Sequence, residues 1–255
     1  MGTNARQDRT ASVTGDAATP PSPGYETIGV FAMRANPLPS REECLELLQA
    51  CHVPVHIVKH SKAVTKLGVF LARKLAENEI PVNVALVERA CLLHDIFRVC
   101  EFPLEDFSRF QQVVTEDDKA RWRKLKEQHG GVQHEDAACA YLKDAYPVLA
   151  QAIRKHRYTA IVDPQDMPLT WEEKLVYYAD KRAMHDQIVP LQERLDEAHN
   201  RNAARRKASG IDFAEIERID AAIFDLQAEL FSLIGLDPDA VTGEFIDQYD
   251  AKAGR

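Results

Sequence analysis

Five stretches of the chain set histidine or aspartate in apolar surroundings: His60 in "VKHSKAV", His94-Asp95 in "ACLLHDIFR", His134 in "HEDAACAYL", His156 in "AIRKH" and Asp180 in "VYYADKR". An ionisable side chain buried alone is expensive unless it is paired or bound to a metal. Such groups on five separate helices need a common partner, and a metal centre supplies one. Imidazole nitrogen and carboxylate oxygen suit zinc, manganese, iron or nickel, and helical bundles build such centres from inward-facing side chains. The adjacency of His94 and Asp95 has its own use. At a helix end both side chains can enter one pocket, so that the imidazole binds one ion while the carboxylate bridges two. Two neighbouring ions clamp both ends of a phosphoryl displacement and generate hydroxide at neutral pH.

A second doublet, His185-Asp186, lies in the polar context "KRAMHDQ". It follows Asp180 on what reads as the same helix. Five residues carry the chain past one full turn, so His185 points away from Asp180. It is expected at the surface or just behind the ligands, and His94-Asp95 is the active doublet.

The elements that must position these groups read as helices throughout. "LPSREECLELLQAC" begins with a capping box, Ser40 and Glu43. Val64, Leu67, Leu71 and Leu75 recur at helical spacing in the segment that carries His60. Val84, Val87 and Cys91 repeat the pattern, and Leu92-Leu93 make that helix apolar all round, hence buried, with His94 and Asp95 at its end. "TEDDKARWRKLKEQHGG" starts with Thr115 and Asp118 and stops at Gly-Gly. Pro147 opens another helix at its first position. Thr170 and Glu173 form a further capping box, at the head of a helix extending to about residue 198 with a kink at Pro190. Phe213, Ile216, Ile219, Ile223, Leu226 and Leu230 make a stripe on a last long helix, expected to complete the bundle rather than form a dimer seam. Glu101 to Thr115 reads as a loop or short helix and "YTAIVDPQDMPL" as a loop, and no strand pattern or repeat appears. Trp122 and Trp171 read as packing residues, and "HNRNAARRK" as a solvated segment between helices.

The order His60, His94-Asp95, Asp180 with these flanks resembles the HD-domain superfamily of metal-dependent phosphohydrolases, defined by H…HD…D. The resemblance covers residues 40 to 185. His134 and His156 stand where two-metal branches add histidines, an arrangement similar to the bacterial HD-type diadenosine tetraphosphate hydrolases. The GYP signature of the cyclic-dinucleotide branch is absent. The resemblance implies an all-α HD-domain helical bundle with additional C-terminal helices. The HD domain is expected at 38–190 with a helical extension packing on it at 191–255, and the Ala-, Thr-, Ser-, Pro- and Gly-rich residues 1–25 read as a disordered tail. The resemblance implies ligands His60, His94, Asp95, His134, His156 and Asp180 for divalent transition-metal ions, two in number, drawn from Fe, Mn, Ni, Co or Zn. His129, at the Gly-Gly helix end, is the rival of His134 and otherwise faces substrate. Many relatives read HDIGK where this chain reads "HDIFR". Arg98 can still bind phosphate bidentately, whereas Phe97 reshapes the pocket and leaves the substrate subfamily open. Lys181 and Arg182 either steer an anionic substrate or are surface charge.

The implied activity is hydrolysis of a nucleotide or related phosphate ester or anhydride by a metal-bound hydroxide, with Asp95 and Arg98 as catalytic residues and Arg98, His129 and Lys181 as substrate-binding ones. The alternatives are a di-iron oxygenase on the same fold and a non-catalytic metal-bound sensor or scaffold. Composition narrows the partners. A net charge of -8 argues against the broad basic face of a nucleic-acid binder and still allows a small basic pocket for one nucleotide; the resemblance implies a small phosphorylated substrate, and a homodimer is possible. Cys44, Cys51, Cys91, Cys100 and Cys139 are odd in number and include no CxxC, as in the reduced, buried thiols of a cytosolic protein. No apolar run reaches the length of a membrane helix. The first residues, "MGTNARQDRTASVTGDAATPPSPG", carry no apolar signal core, and Arg6 stands where a myristoylation signal needs Ser or Thr.

Overall fold

The computed structural model describes residues 37–252 and 254, apart from 106, 108, 109, 111, 210 and 211; for 204–209 it describes the backbone alone. The expectation for residues 1–25 lies outside the described residues. Helices α1 (Arg41–Ala50), α2 (Val55–Glu77) and α3 (Val84–Leu93) come first. They are followed by α4 (Glu116–His129), α5 (His134–Leu142), α6 (Pro147–Arg154) and α7 (Trp171–Asp180). Two 3₁₀ turns, Arg98–Glu101 and Tyr158–Val162, follow α3 and α6. A hairpin of β1 (Ala183–Met184) and β2 (Gln187–Ile188) precedes α8 (Leu191–Ser209), α9 (Phe213–Ile234) and α10 (Gly243–Lys252). The fold is all-α, the hairpin being its one sheet among the described residues.

The helix starts follow from their caps. The amides of Glu43, Asp118 and Glu173 donate to the hydroxyls of Ser40, Thr115 and Thr170 at 3.0, 3.1 and 3.3 Å, and each acid reaches back to the cap amide. Glu173 also accepts from Lys155 Nζ at 2.8 Å, which ties the head of α7 to the residue before His156.

The core forms around α2, which packs against α3, α7 and α10, while α3 also meets α6 and α7. Leu67, Leu71 and Leu75 of α2 and Val87, Cys91 and Leu93 of α3 are fully buried. Gly68 sets the closeness of this pair, for a Cβ there would come within 2.7 Å of Cys91 Sγ and 3.3 Å of Val87 Cγ1. Ile216, Ile219, Ile223, Leu226 and Leu230 of α9 are buried within the same chain, but Phe213 is 82% exposed and lies off the stripe's contact. Trp122 is buried, stacks on Phe110 and donates to the His52 carbonyl at 2.7 Å. The sequence reading passed over α10, whose Phe245 and Tyr249 pack edge-on against Phe70 of α2.

The expected long helix from Thr170 to about residue 198 is broken. α7 stops at Asp180, and the hairpin intervenes before α8. The physical cause is Arg182, which is fully buried and donates to Tyr178 Oη and to the carbonyls of Val189, Pro238 and Val241. Satisfying a buried guanidinium this way turns the chain. Lys181 is buried as well, so neither residue is surface charge. "HNRNAARRK" lies inside α8 rather than between helices.

Candidate metal centre

Four imidazoles converge on two carboxylates. His60 comes from the second turn of α2, His94 caps the C-terminus of α3 with Asp95 following it, His134 opens α5, His156 follows α6, and Asp180 ends α7. Each ring uses Nδ1 outward. His60 Nδ1 donates to the His185 carbonyl at 2.9 Å and His94 Nδ1 to the Cys91 carbonyl at 2.8 Å. His156 Nδ1 donates to the Ile153 carbonyl, and His134 Nδ1 to Glu101 Oε1 at 2.6 Å. An imidazole whose Nδ1 carries the proton presents a lone pair at Nε2. All four Nε2 atoms therefore face inward, where each offers a lone pair to a cation or carries a proton toward a carboxylate.

What they face is carboxylate. Asp180 Oδ1 lies 3.0 Å from His60 Nε2 and 3.6 Å from His94 Nε2. Asp95 stands between two sets: its Oδ2 is 3.7 Å from His94 Nε2 and 4.0 Å from His60 Nε2, and its Oδ1 is 2.9 Å from His134 Nε2 and 3.7 Å from His156 Nε2. The Nε2 atoms of His134 and His156 are 3.2 Å apart. Lone pairs and carboxylate oxygens so arranged repel unless a cation joins them. Donors that share one ion at roughly 2.0–2.2 Å stand about 3.0–3.5 Å from one another, close to the spacing found. His94 Nε2 is buried and makes no hydrogen bond, an orphan that an ion would satisfy.

The donor atoms fall into groups that fit within 4.8 Å: His60, His94 and Asp180; His94, Asp95 and His156; and His134, Glu135 and His156. The first and last are distinct sets, and Asp95 lies between them. The residues present fit divalent-metal ligation.

The field of this cluster is seen in its titration. Burial disfavours charge on Asp95, but His94, His134 and His156 outweigh it and hold the carboxyl well below the usual range. Burial is likewise outweighed at Asp180, by Lys181 first and then His60 and His94. Burial works against charge on His134, yet Asp95 and Glu101 raise it to about 9. Glu101 falls to about 2, because His134 and Arg98 overcome its burial. His156 is lowered by burial. The carboxylates thus draw positive charge into the cluster, and any cation there would answer the same field.

The sequence-derived set of His60, His94, Asp95, His134, His156 and Asp180 is brought together. Arg98 stands at its edge, with Nη1 3.1 Å from Glu101 Oε2 and 3.0 Å from His134 Nδ1. Lys181 also lines the cleft, but its Nζ donates to Asp180 Oδ2 at 2.6 Å and to the His156 carbonyl at 2.8 Å, so it orients that carboxylate. His129 is not brought in. Its ring packs on Phe97 at 4.7 Å, and it does not line the cleft.

Sequence reasoning missed Glu101, Glu135 and the carbonyl of His185. Glu135 is 5% exposed; its Oε2 lies 3.2 Å from His134 Nδ1 at an angle that makes no hydrogen bond. The available signal was position, as Glu135 follows a ligand directly. Nothing in the sequence marks Glu101 or the carbonyl. His185 stands on the hairpin loop at φ 55, and positive φ at the first loop residue alone is the type II′ pattern.

Residues 57–185, half of the chain, match the HD domain family, and the chain belongs to that family. The match covers the span from the turn before His60 to the hairpin and singles out no branch of the family. The chain is also 26% identical over 212 residues to the tRNA (cytidine(56)-2'-O)-methyltransferase of Picrophilus torridus, an alignment that takes in 80% of this chain and 50% of that protein. The chain therefore spans about half the length of the curated relative it matches. No solved structure matches.

Proposed function

We propose that the protein is a metal-dependent phosphohydrolase acting on a nucleotide or related phosphate ester or anhydride. The observation that supports this most is the pair of donor sets about Asp95, with four Nε2 lone pairs turned inward and each Nδ1 fixed by an outer acceptor. Such outer partners fix the tautomer of ligating histidines and raise their basicity. Divalent ions held there supply Lewis acidity toward phosphoryl oxygens and a nucleophile at neutral pH.

The chain's own groups do the rest. Asp95 offers one oxygen to each set, so the two sets act on one reacting group. Lys181 holds Asp180 Oδ2, leaving Oδ1 for the first set. Glu101 fixes both the ring and the backbone amide of His134, the latter at 3.1 Å. Arg98 presents its remaining guanidinium donors to phosphate oxygens. Lys59, exposed on the rim beside His60, has no partner among the described residues and meets an incoming anion. The cleft holds about 900 Å³, room for a nucleotide.

The likeness to a methyltransferase supports no methyl transfer by this chain, since half of that protein lies outside the alignment and the site offers ligands for cations. The reading is tested by metal analysis of protein purified without chelator, beside turnover of p-nitrophenyl phosphate esters, nucleoside monophosphates, cyclic nucleotides and dinucleoside polyphosphates. Near two ions per chain and hydrolysis of one class are expected. Two irons, no phosphate release and oxygen uptake would defeat it in favour of an oxygenase.

A further inference from the structure

The helix after the hairpin, α8, lies beyond the residues that match the family, yet it forms a wall of the same cleft through Arg194, Leu195, Ala198, Arg201 and Asn202. Arg194, Ala198 and Arg201 recur at four and three residues, so they share one face. Leu191 and Leu195 are buried and anchor the helix. Its docking is specific. Arg194 Nε donates to the Ala183 carbonyl of the hairpin at 2.7 Å. His199 Nε2 meets Asp220 Oδ2 of α9 at 2.6 Å, and Tyr158 Oη, two residues past the ligand His156, donates to Asp220 Oδ1 at 2.7 Å.

The charge on this face is unbalanced. Among the described residues, Glu197 is the one carboxylate that both guanidiniums share, 3.2 Å from Arg194 Nη1 and 2.7 Å from Arg201 Nη1. One negative charge thus holds two positive ones side by side. Burial, then Arg194, disfavour the charge on Arg201, and Arg98 across the cleft adds to this. Ala198 between them projects only a methyl group and leaves space over the face. Like charges gathered in a concave site call for an anion.

We infer that α8 carries a second anion subsite, in which Arg194 and Arg201 bind an anionic group separate from the phosphate at the His/Asp centre. The preferred substrate then bears at least two anionic groups, as in a nucleoside diphosphate or a bisphosphate. This deepens the phosphohydrolase reading and rests on it for the identity of the first anion. A cleft of about 900 Å³ is far larger than one phosphate needs.

The experiment is calorimetry on the full chain loaded with Mn²⁺. The probes are adenosine 5′-thiophosphate, with one anionic group, and α,β-methylene-ADP and adenosine 3′,5′-bisphosphate, with two. At least one two-anion probe is expected to bind about tenfold or more tightly than the single-anion probe. Arg201→Gln, at a half-exposed side chain that can change without disturbing the core, should bring that ratio close to one. Arg194→Gln should do the same. Arg73→Gln, at a residue paired with Asp250 on α10, should leave the ratio unchanged. Equal binding of all probes, or none, overturns the subsite. So does an Arg201→Gln loss that is as large for the single-anion probe. Turnover of the full panel of phosphate esters, nucleotides and dinucleoside polyphosphates is followed in parallel. Its absence across that panel with the two-anion preference intact would defeat the hydrolase reading and leave the subsite standing.

Discussion

The chain contains the dipeptide His-Asp twice at this site, and the two copies contribute through opposite parts of the residue. At His94-Asp95 the backbone is still helical, φ −55 and ψ −38 at His94, and both side chains turn into the core, 0% and 8% exposed. At His185-Asp186 the backbone is in a hairpin loop, with φ 55 at His185 and both side chains exposed at the cleft mouth. Only the His185 carbonyl enters the centre, as the acceptor for His60 Nδ1. The same two residues thus turn donor side chains into the cluster in one place and serve as scaffold in the other, and backbone conformation decides which.

The contrast can be broken most sharply at the side chains. Asp95→Ala removes the oxygens facing both sets and should cut phosphate release by roughly 10³-fold or more, with metal content below that of the parent and the helical circular dichroism retained. Asp186→Ala should alter neither. Parental turnover in Asp95→Ala would remove the first doublet from the mechanism.

Next in size is the support of the ligands. Glu101→Gln keeps the shape of an acceptor for His134 Nδ1 but loses its charge, and should weaken metal affinity by about 10–100-fold, read by competition with a chromogenic chelator. Gly68→Ala acts on the first doublet through packing. Its Cβ would press on Cys91, whose carbonyl orients His94, so a loss of about 1–3 kcal/mol is expected in urea unfolding. A gain in stability there would show that α2 and α3 can separate freely.

In chelator-stripped protein the Glu101–His134 pair should leave a pH signature. His134 is raised from 6.5 to about 9, so its contribution is full below 6.5 and lost as pH rises through 9. Glu101 is lowered from 4.5 to about 2, so its contribution is full above 4.5 and lost as pH falls through 2. The pair's stabilisation is complete between pH 4.5 and 6.5, and the melting temperature should decline toward pH 9. A bound ion takes the place of the proton on His134, so the metal-loaded protein should lack the alkaline decline.

The smallest effect belongs to the second doublet. His185→Gly relieves a positive φ and leaves the carbonyl in place, so it should stabilise by no more than about 1 kcal/mol with unchanged metal content. Loss of metal in that variant would mean that the His185 side chain, and not only its carbonyl, serves the centre.

Much of this was legible in the sequence because it depends on local chemistry. The three capping boxes, the apolar period of α2 and the all-apolar end of α3 each follow from residues within a turn or two of one another. The ligand set was legible because histidine and aspartate beside Leu, Val and Ala signal a cost that needs a remedy. The hairpin was not, since "DKRAMHDQIV" consists largely of good helix formers and its strands are two residues each, too short for alternation to show. What ends α7 is Arg182 reaching carbonyls at Pro238 and Val241, far along the chain. Glu135 was missed because an acid near a helix start reads as solvated until the fold shows what covers it, and Glu101 because it ends a 3₁₀ turn in what reads as a loop or short helix.

The outer acceptors of the four histidines also set an order of assembly during synthesis. His94 and His156 each bond a carbonyl three residues upstream, at the end of their own helix, and can be oriented as soon as that helix end is made. His134 relies on Glu101, already present when it emerges. His60 must wait for Asp180 and for the carbonyl of His185, 120 and 125 residues later. A nascent chain halted before Asp180 therefore possesses the Asp95, His134 and His156 side of the centre but not the other, so the donor set nearest α2 is the last to be completed.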